Sequence, residues 1–193
     1  MLMADFVKRE VTMEQWIVQE REQVFKSRVF ELIKKRCRHP LTEVEYNFFT
    51  IETQNWINLV ARTDDGRYVL VKQHRLGNDA VTLETPGGLI DDGETPEACA
   101  RRELMEETGY SCENMVFIKK LAVNPAILNN YIYIFLATGC KKAGDQRLDE
   151  AEDIEIVTLD EKELWEAVDR GAIDHSIVVM ALLLCAQASL LGR

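Results

Sequence analysis

Glu103, Glu106 and Glu107 stand close together in the stretch Arg102-Glu-Leu-Met-Glu-Glu-Thr-Gly109. If this stretch is helical, at about 100° per residue, all three fall within an arc of roughly 100°. Like charges so placed destabilise a bare helix by about 0.2–0.5 kcal/mol per pair. A hard divalent cation offsets that repulsion. Carboxylate oxygens suit magnesium, which keeps waters of its own and binds phosphates. Ala100 and Leu104 border one edge of the arc, so the carboxylates are expected to look into a cleft beside a packed face. The plain alternative is a solvated acidic face, the commoner fate of such a run when nothing else accompanies it.

The element carrying these groups has start and stop signals. Thr95 suits an N-cap, Pro96 the first helical position and Gly109 the C-terminal stop, which predicts a helix over Thr95–Gly109. β-forming runs precede it at Val29–Arg36, Val44–Ile51, Trp56–Arg62, Tyr68–Gln73 and Ala80–Glu84, with Asp64-Asp65-Gly66 as a hairpin turn. Strands are expected again at Met115–Ala122, Tyr131–Ala137 and Ile154–Leu159. Two helices close the chain, Glu161–Arg170 and one running from near Asp174-His175-Ser176 to about Leu190. Strands and helices without regular βα alternation indicate an α+β, or mixed α/β, layered domain.

A chain of 193 residues fits one domain, or one domain with an N-terminal extension. The net charge of −10 disfavours nucleic acid as a partner, because so acidic a surface repels a phosphate backbone. A small phosphorylated molecule remains compatible once cations neutralise the local charge. Five scattered cysteines with no CxxC pair argue against a disulfide framework or a zinc site and for a reducing compartment. Charges interrupt every apolar run near the N-terminus, and Ile177–Ala186 is too short to span a bilayer. The expectation is a cytoplasmic protein with no membrane partner.

Gly88, Glu94, Arg102-Glu103-Leu104, Glu106-Glu107 and Gly109 stand at the spacings Gly, five residues, Glu, seven residues, Arg-Glu-apolar, one residue, Glu-Glu, one residue, Gly. Chance agreement at these seven specified residues is below about one in a million for such a chain. The stretch resembles the box of the Nudix hydrolases. Tyr110 departs mildly, since the pattern usually carries an aliphatic residue there. The similarity extends beyond the box, from about Phe48 to about Leu184. It is strongest to the ADP-ribose pyrophosphatase and nucleoside-diphosphate-sugar hydrolase branch. Val71-Lys-Gln73-His-Arg75, Leu83-Glu84-Thr-Pro86-Gly87-Gly88, Pro125 sixteen residues past Gly109, and the acidic loop Leu148-Asp149-Glu150-Ala151-Glu152-Asp153-Ile154 carry it.

The resemblance implies an α/β/α sandwich around a mixed sheet, with residues 48–193 as the hydrolase domain. Residues 1–47 would form an N-terminal β extension that either serves a homodimer, with or without strand exchange, or merely extends the monomer. It implies that Glu103 and Glu107 ligate magnesium (or manganese), with Glu106 alongside, the Gly87 carbonyl completing the site and Glu152 contributing from the loop. Glu150 is the favoured general base and Glu106 its rival. Arg75 and Glu84 would contact the nucleotide substrate, and Trp56 either stacks on its base or belongs to the core. Glu94 and Arg102 would brace the box by an ion pair, and Gly88 and Gly109 would supply backbone freedom. Asn130 and His175 receive no role. The reaction implied is hydrolysis of a diphosphate to a nucleoside monophosphate and a sugar phosphate. The alternatives are a Nudix hydrolase of a nucleoside triphosphate or dinucleoside polyphosphate, and a non-catalytic nucleotide-binding module of the same fold.

Overall fold

A computed structural model describes residues 14–150 and 152–190. By their internal contacts these fall into two compact units, one comprising the chain up to Thr53 together with Asn124–Asn129, the other Gln54–Val123 with Asn130 onward.

The first unit is a three-stranded antiparallel sheet of β1 (Ile17–Lys26), β2 (Glu31–Arg38) and β3 (Glu45–Glu52), in the order β1-β2-β3. β2 and β3 are the two strands that β-propensity marks, shifted by one or two residues. β1 went unmarked because its centre, Gln19-Glu-Arg-Glu-Gln23, shows neither alternation nor β-branching. Its charges instead pair across the sheet: Lys34 with Glu22, Arg36 with Glu20, and Arg21 with Glu52. β3 runs through residues 47 and 48 to Glu52, and the first unit extends to Thr53.

The second unit is built on eight strands: β4 (Trp56–Thr63), β5 (Tyr68–Arg75), β6 (Ala80–Glu84), β7 (Gly87–Leu89), β8 (Tyr110–Ser111), β9 (Asn114–Ala122), β10 (Tyr131–Lys142) and β11 (Ile154–Leu159). Its spine runs β11-β5-β4-β10; β6 pairs with β5, β7 with β4, and β8 and β9 with β10. β4 and β10 are parallel and the remaining pairs antiparallel, so the sheet is mixed. The helices are α1 (Pro96–Thr108), α2 (Glu161–Asp169) and α3 (Ser176–Leu190).

Side-chain alternation divides the core. Ile57, Leu59 and Ala61 of β4 point to one face and pack with Ala100 and Leu104 of α1. Val60 points to the other and joins Leu164 of α2 and Val178 and Leu182 of α3. Both faces are covered, which is why Ile57–Ala61 of β4 and Tyr68–Val71 of β5 are buried residue after residue. The result is the α/β/α sandwich with a mixed central sheet expected from the sequence.

Candidate active site

Capping chemistry fixes α1 where the sequence places it. The Thr95 hydroxyl accepts a hydrogen bond from the Ala98 amide at 3.2 Å, Pro96 opens the first turn, and Gly109 stops the helix at φ 66°, donating its amide to the Met105 carbonyl at 2.7 Å. Leu104 and Ala100 are wholly buried, so the acidic arc does border a packed face. Burying Leu104 contributes about 2–3 kcal/mol, well above the few tenths lost per Glu–Glu pair, so packing decides that the helix forms.

The three glutamates differ in surroundings. Glu107 is buried, and its Oε2 accepts a hydrogen bond from the Gly87 amide at 3.0 Å. Burial pushes its carboxyl up to about 8, reinforced by the nearby Glu103 and Glu152 charges and opposed by the Gly87 bond and Arg75. Burial likewise pushes Glu103 up to about 7, against the pull of Arg102. Glu106 is more open and shares Arg102 with Glu103, at 3.0 and 2.8 Å from Nη1. Arg102 also grips Glu94 through two bonds of 3.0 Å and donates to the Leu89 carbonyl at 3.2 Å, tying the loop before α1 to the helix.

The two box glycines serve different ends. Gly109 occupies the left-handed region. Gly88 does not, contrary to expectation; it supplies space. A Cβ there would stand 2.2 Å from Glu103 Oε1, so the missing side chain makes the room that this carboxylate takes.

Among the described residues no three His, Cys, Asp or Glu side chains are gathered tightly enough to hold an ion as they stand. The donors nevertheless fit a hard divalent cation. Glu103 and Glu107 are carboxylates in burial that disfavours their charge. Glu106 adjoins them, and the Gly88 cradle is shaped around one of them.

The acidic loop reaches the same place by a route the sequence did not mark. The Gln146 amide donates to the Glu107 carbonyl at 2.6 Å, and the Arg147 amide to the Glu106 carbonyl at 2.8 Å. These bonds satisfy carbonyls left open at the end of α1 and pin the loop there. Glu152 then lies near enough to bear on Glu103, Glu107 and Arg75. Glu150 sits exposed at a turn beside Ala151, which lies outside the described residues. Pro125 belongs to the first unit.

Next to the glutamates is a cavity of about 330 Å³, lined among others by Trp56, Arg75, Glu84, Gly88 and His175. It contains all three candidate substrate contacts. Arg75 and Glu84 form a two-pronged pair, Nε to Oε1 and Nη2 to Oε2, both 2.8 Å. Thr82 donates to Glu84 Oε1 at 2.6 Å. Burial alone would push the Glu84 carboxyl up, but Arg75, His175 and Thr82 outweigh it and hold it well below the usual carboxylate range. Three lining residues escaped sequence reasoning. Asn58 and Thr85 meet through a 2.8 Å bond from the Thr85 hydroxyl, and the one available sign was a lone amide inside the apolar run of β4. His175, at the head of α3, had no local sign at all.

Comparison with known proteins places the chain by family and by fold. The sequence profile of the NUDIX domain matches residues 52–176. The chain is 30% identical over 162 residues to a methanol dehydrogenase activator of Bacillus methanolicus, covering 83% of this chain and 87% of the relative. It is 29% identical over 165 residues to an ADP-ribose pyrophosphatase of Bacillus subtilis (strain 168), covering 80% and 89%. It is 35% identical over 116 residues to an ADP-sugar pyrophosphatase of Mus musculus, covering 57% and 53%. Among solved structures, that of an ADP compounds hydrolase superposes with a TM-score of 0.82 over 94% of this chain and 98% of the other at 23% identity, a likeness of fold.

Proposed function

The chain belongs to the NUDIX domain family, and from that premise we propose that it is a divalent-cation-dependent pyrophosphohydrolase of nucleoside diphosphate sugars, ADP-ribose or a close relative, releasing a nucleoside monophosphate and a sugar phosphate. One observation carries this reading: the Glu103–Glu107 carboxylates and the Trp56–Arg75–Glu84 cavity are neighbours that share Gly87 and Gly88. A cation site beside a small cavity suits a substrate whose diphosphate lies between two larger groups.

Glu103 and Glu107, with Glu106 and the Gly87 carbonyl, would hold the cation, taken to be magnesium with manganese as substitute. When bound it would neutralise the diphosphate and acidify an attacking water. Arg75 keeps Nη1 outside its pair with Glu84, so that edge can meet a phosphate or sugar oxygen. The Trp56 ring offers an apolar wall. Glu150 is proposed as the general base: it is exposed on the acidic loop, outside the set proposed to hold the cation, and the loop would close over substrate. Glu152 bears on the helix carboxylates and would assist there. The free thiols of all five cysteines suit the cytoplasm. No helix among the described residues is long and apolar enough to cross a membrane.

The test is a panel of ADP-ribose, ADP-, GDP- and UDP-hexoses, nucleoside triphosphates and dinucleoside polyphosphates, with released phosphate monoesters as readout. A nucleotide sugar should be the best substrate. Turnover should stop with excess chelator and return with magnesium. Dominant release of pyrophosphate from a triphosphate, or full turnover in chelator, overturns the reading.

A further inference from the structure

The Arg75–Glu84 pair has a third member that the function so far described does not use. His175 immediately precedes α3, its carbonyl accepting the Val179 amide at 3.0 Å, so the helix start fixes its backbone. Its Nδ1 is buried, has no well-formed hydrogen bond, and lies 3.4 Å from Glu84 Oε2, at the outer limit of such contacts. A lone pair aimed at a buried carboxylate oxygen would be repulsive. A proton on Nδ1 answers that oxygen, and in this tautomer Nε2 is an acceptor. The side chain is 41% exposed and lines the cavity, so the opposite edge of the ring is the one open to a ligand.

We infer that His175 is a specificity-determining residue of this cavity, its Nε2 accepting a hydrogen bond from a hydroxyl of the substrate's sugar. This rests on the nucleotide-sugar reading above. The other polar groups facing the cavity make the assignment chemical. Arg75 only donates. Glu84 is already engaged by Arg75 and Thr82, and the Asn58 carbonyl oxygen by Thr85. The Thr85 hydroxyl keeps acceptor capacity but is 2% exposed, so His175 is the accessible side-chain acceptor with an edge to spare. Phosphate ester oxygens cannot donate to it, whereas sugar hydroxyls can. At about 330 Å³ the cavity is at the small end for ligand pockets, room for one part of a nucleotide sugar rather than the whole.

Two amide substitutions separate contact with substrate from support of Glu84. An asparagine amide reaches about as far as Nδ1, a glutamine amide about as far as Nε2. The experiment measures kcat and KM for ADP-ribose, and for analogues lacking one ribose hydroxyl at a time, with the wild type and with His175→Ala, His175→Asn and His175→Gln. His175→Ala and His175→Asn should raise KM about tenfold with kcat nearly unchanged, and His175→Gln should recover most of the loss. One deoxy analogue should lose about the same factor with the wild type and nothing further with His175→Ala, the non-additivity of a shared contact. If His175→Asn is normal while His175→Gln matches His175→Ala, the residue only supports Glu84 and the inference fails. Additive losses with every analogue also overturn it. A wild type that hydrolyses no nucleotide sugar removes the functional reading and this inference with it, whereas an active wild type with an unchanged His175→Ala variant removes this inference alone.

Discussion

At the scale of residues, the carboxylates sort by surroundings rather than by spacing. Glu107 and, despite its bond to Arg102, Glu103 sit where burial disfavours their charge, whereas Glu106 is a more open partner of Arg102, Glu94 is gripped by it, and Glu84 is answered by Arg75. Glu107→Gln should therefore lower kcat by several orders of magnitude while leaving the metal-free thermal midpoint level or higher, since it removes a carboxyl whose ionisation burial disfavours. Glu150→Gln should also lower kcat strongly, but with KM and cation affinity kept, the pattern of a lost transition-state contact. Normal kcat for Glu150→Gln beside an inactive Glu106→Gln would move the base into the helix. Glu84 gives the opposite stability signature to Glu107. Its folded-state pKa is depressed, so the stability it contributes is present above the ordinary carboxylate range and lost as pH falls below it. Acid titration of Glu84→Gln should show a flatter acid limb than the wild type, and about 2 kcal/mol less stability at neutral pH. That is below the full cost of breaking a buried pair because Arg75 is half exposed. An unchanged acid limb would mean that the pair contributes nothing to folding.

At the scale of elements, α1 was legible because every signal that places it is local: a capping threonine, a first-turn proline, a terminal glycine and apolar residues at helical spacing. β1 was illegible because its stabilising partners are charges on other strands. The cavity was legible in part. Trp56, Arg75 and Glu84 lie on paired strands close to the box, while His175 arrives from a distant helix start that no spacing announces. The loop before β11 was legible as acidic, but its anchorage by Gln146 was not, since a glutamine reaching helix carbonyls carries no pattern. The two box glycines turn this distinction into a measurement. A Cβ at Gly88 meets the far end of the flexible Glu103 side chain, which can swing away, whereas one at Gly109 would be forced to 2.3 Å from the Gly144 carbonyl oxygen at positive φ. Gly88→Ala should keep its thermal midpoint within a few degrees and lose activity at least about a hundredfold, because the displaced carboxylate is a proposed cation ligand. Gly109→Ala should instead destabilise by about 2 kcal/mol or more, with activity falling only as the fold does. Equal losses of stability in both variants would remove the distinction.

At the scale of the molecule, the first unit exposes more apolar surface than a solvated sheet should. Val18, Cys37 and Tyr46 face one another across its three strands in register, as do Arg21, Lys35 and Phe48, so these rows share one face. Trp16 stacks edge-on against Phe48 on that side. Tyr46 is 60% exposed, Val18 48% and Trp16 39%. Such a cluster on a protein of net charge −10 is not needed for solubility, and contiguous patches of this kind mark association sites. The backbone ladders already join the three strands, which leaves the aromatic row free for another surface. We propose a second copy of the chain as that surface, meeting it through the same face by two-fold symmetry. Light scattering coupled to gel filtration should give twice the chain's 22.2 kDa. Tyr46→Asp combined with Val18→Asp should shift the mass to that of one chain, because two desolvated carboxylates at the centre of an apolar interface cost several kcal/mol. The monomeric variant's second unit should keep its circular dichroism and thermal transition. A wild type that elutes as a single chain, or a doubly substituted protein that stays paired, would assign the aromatic row to something other than self-association.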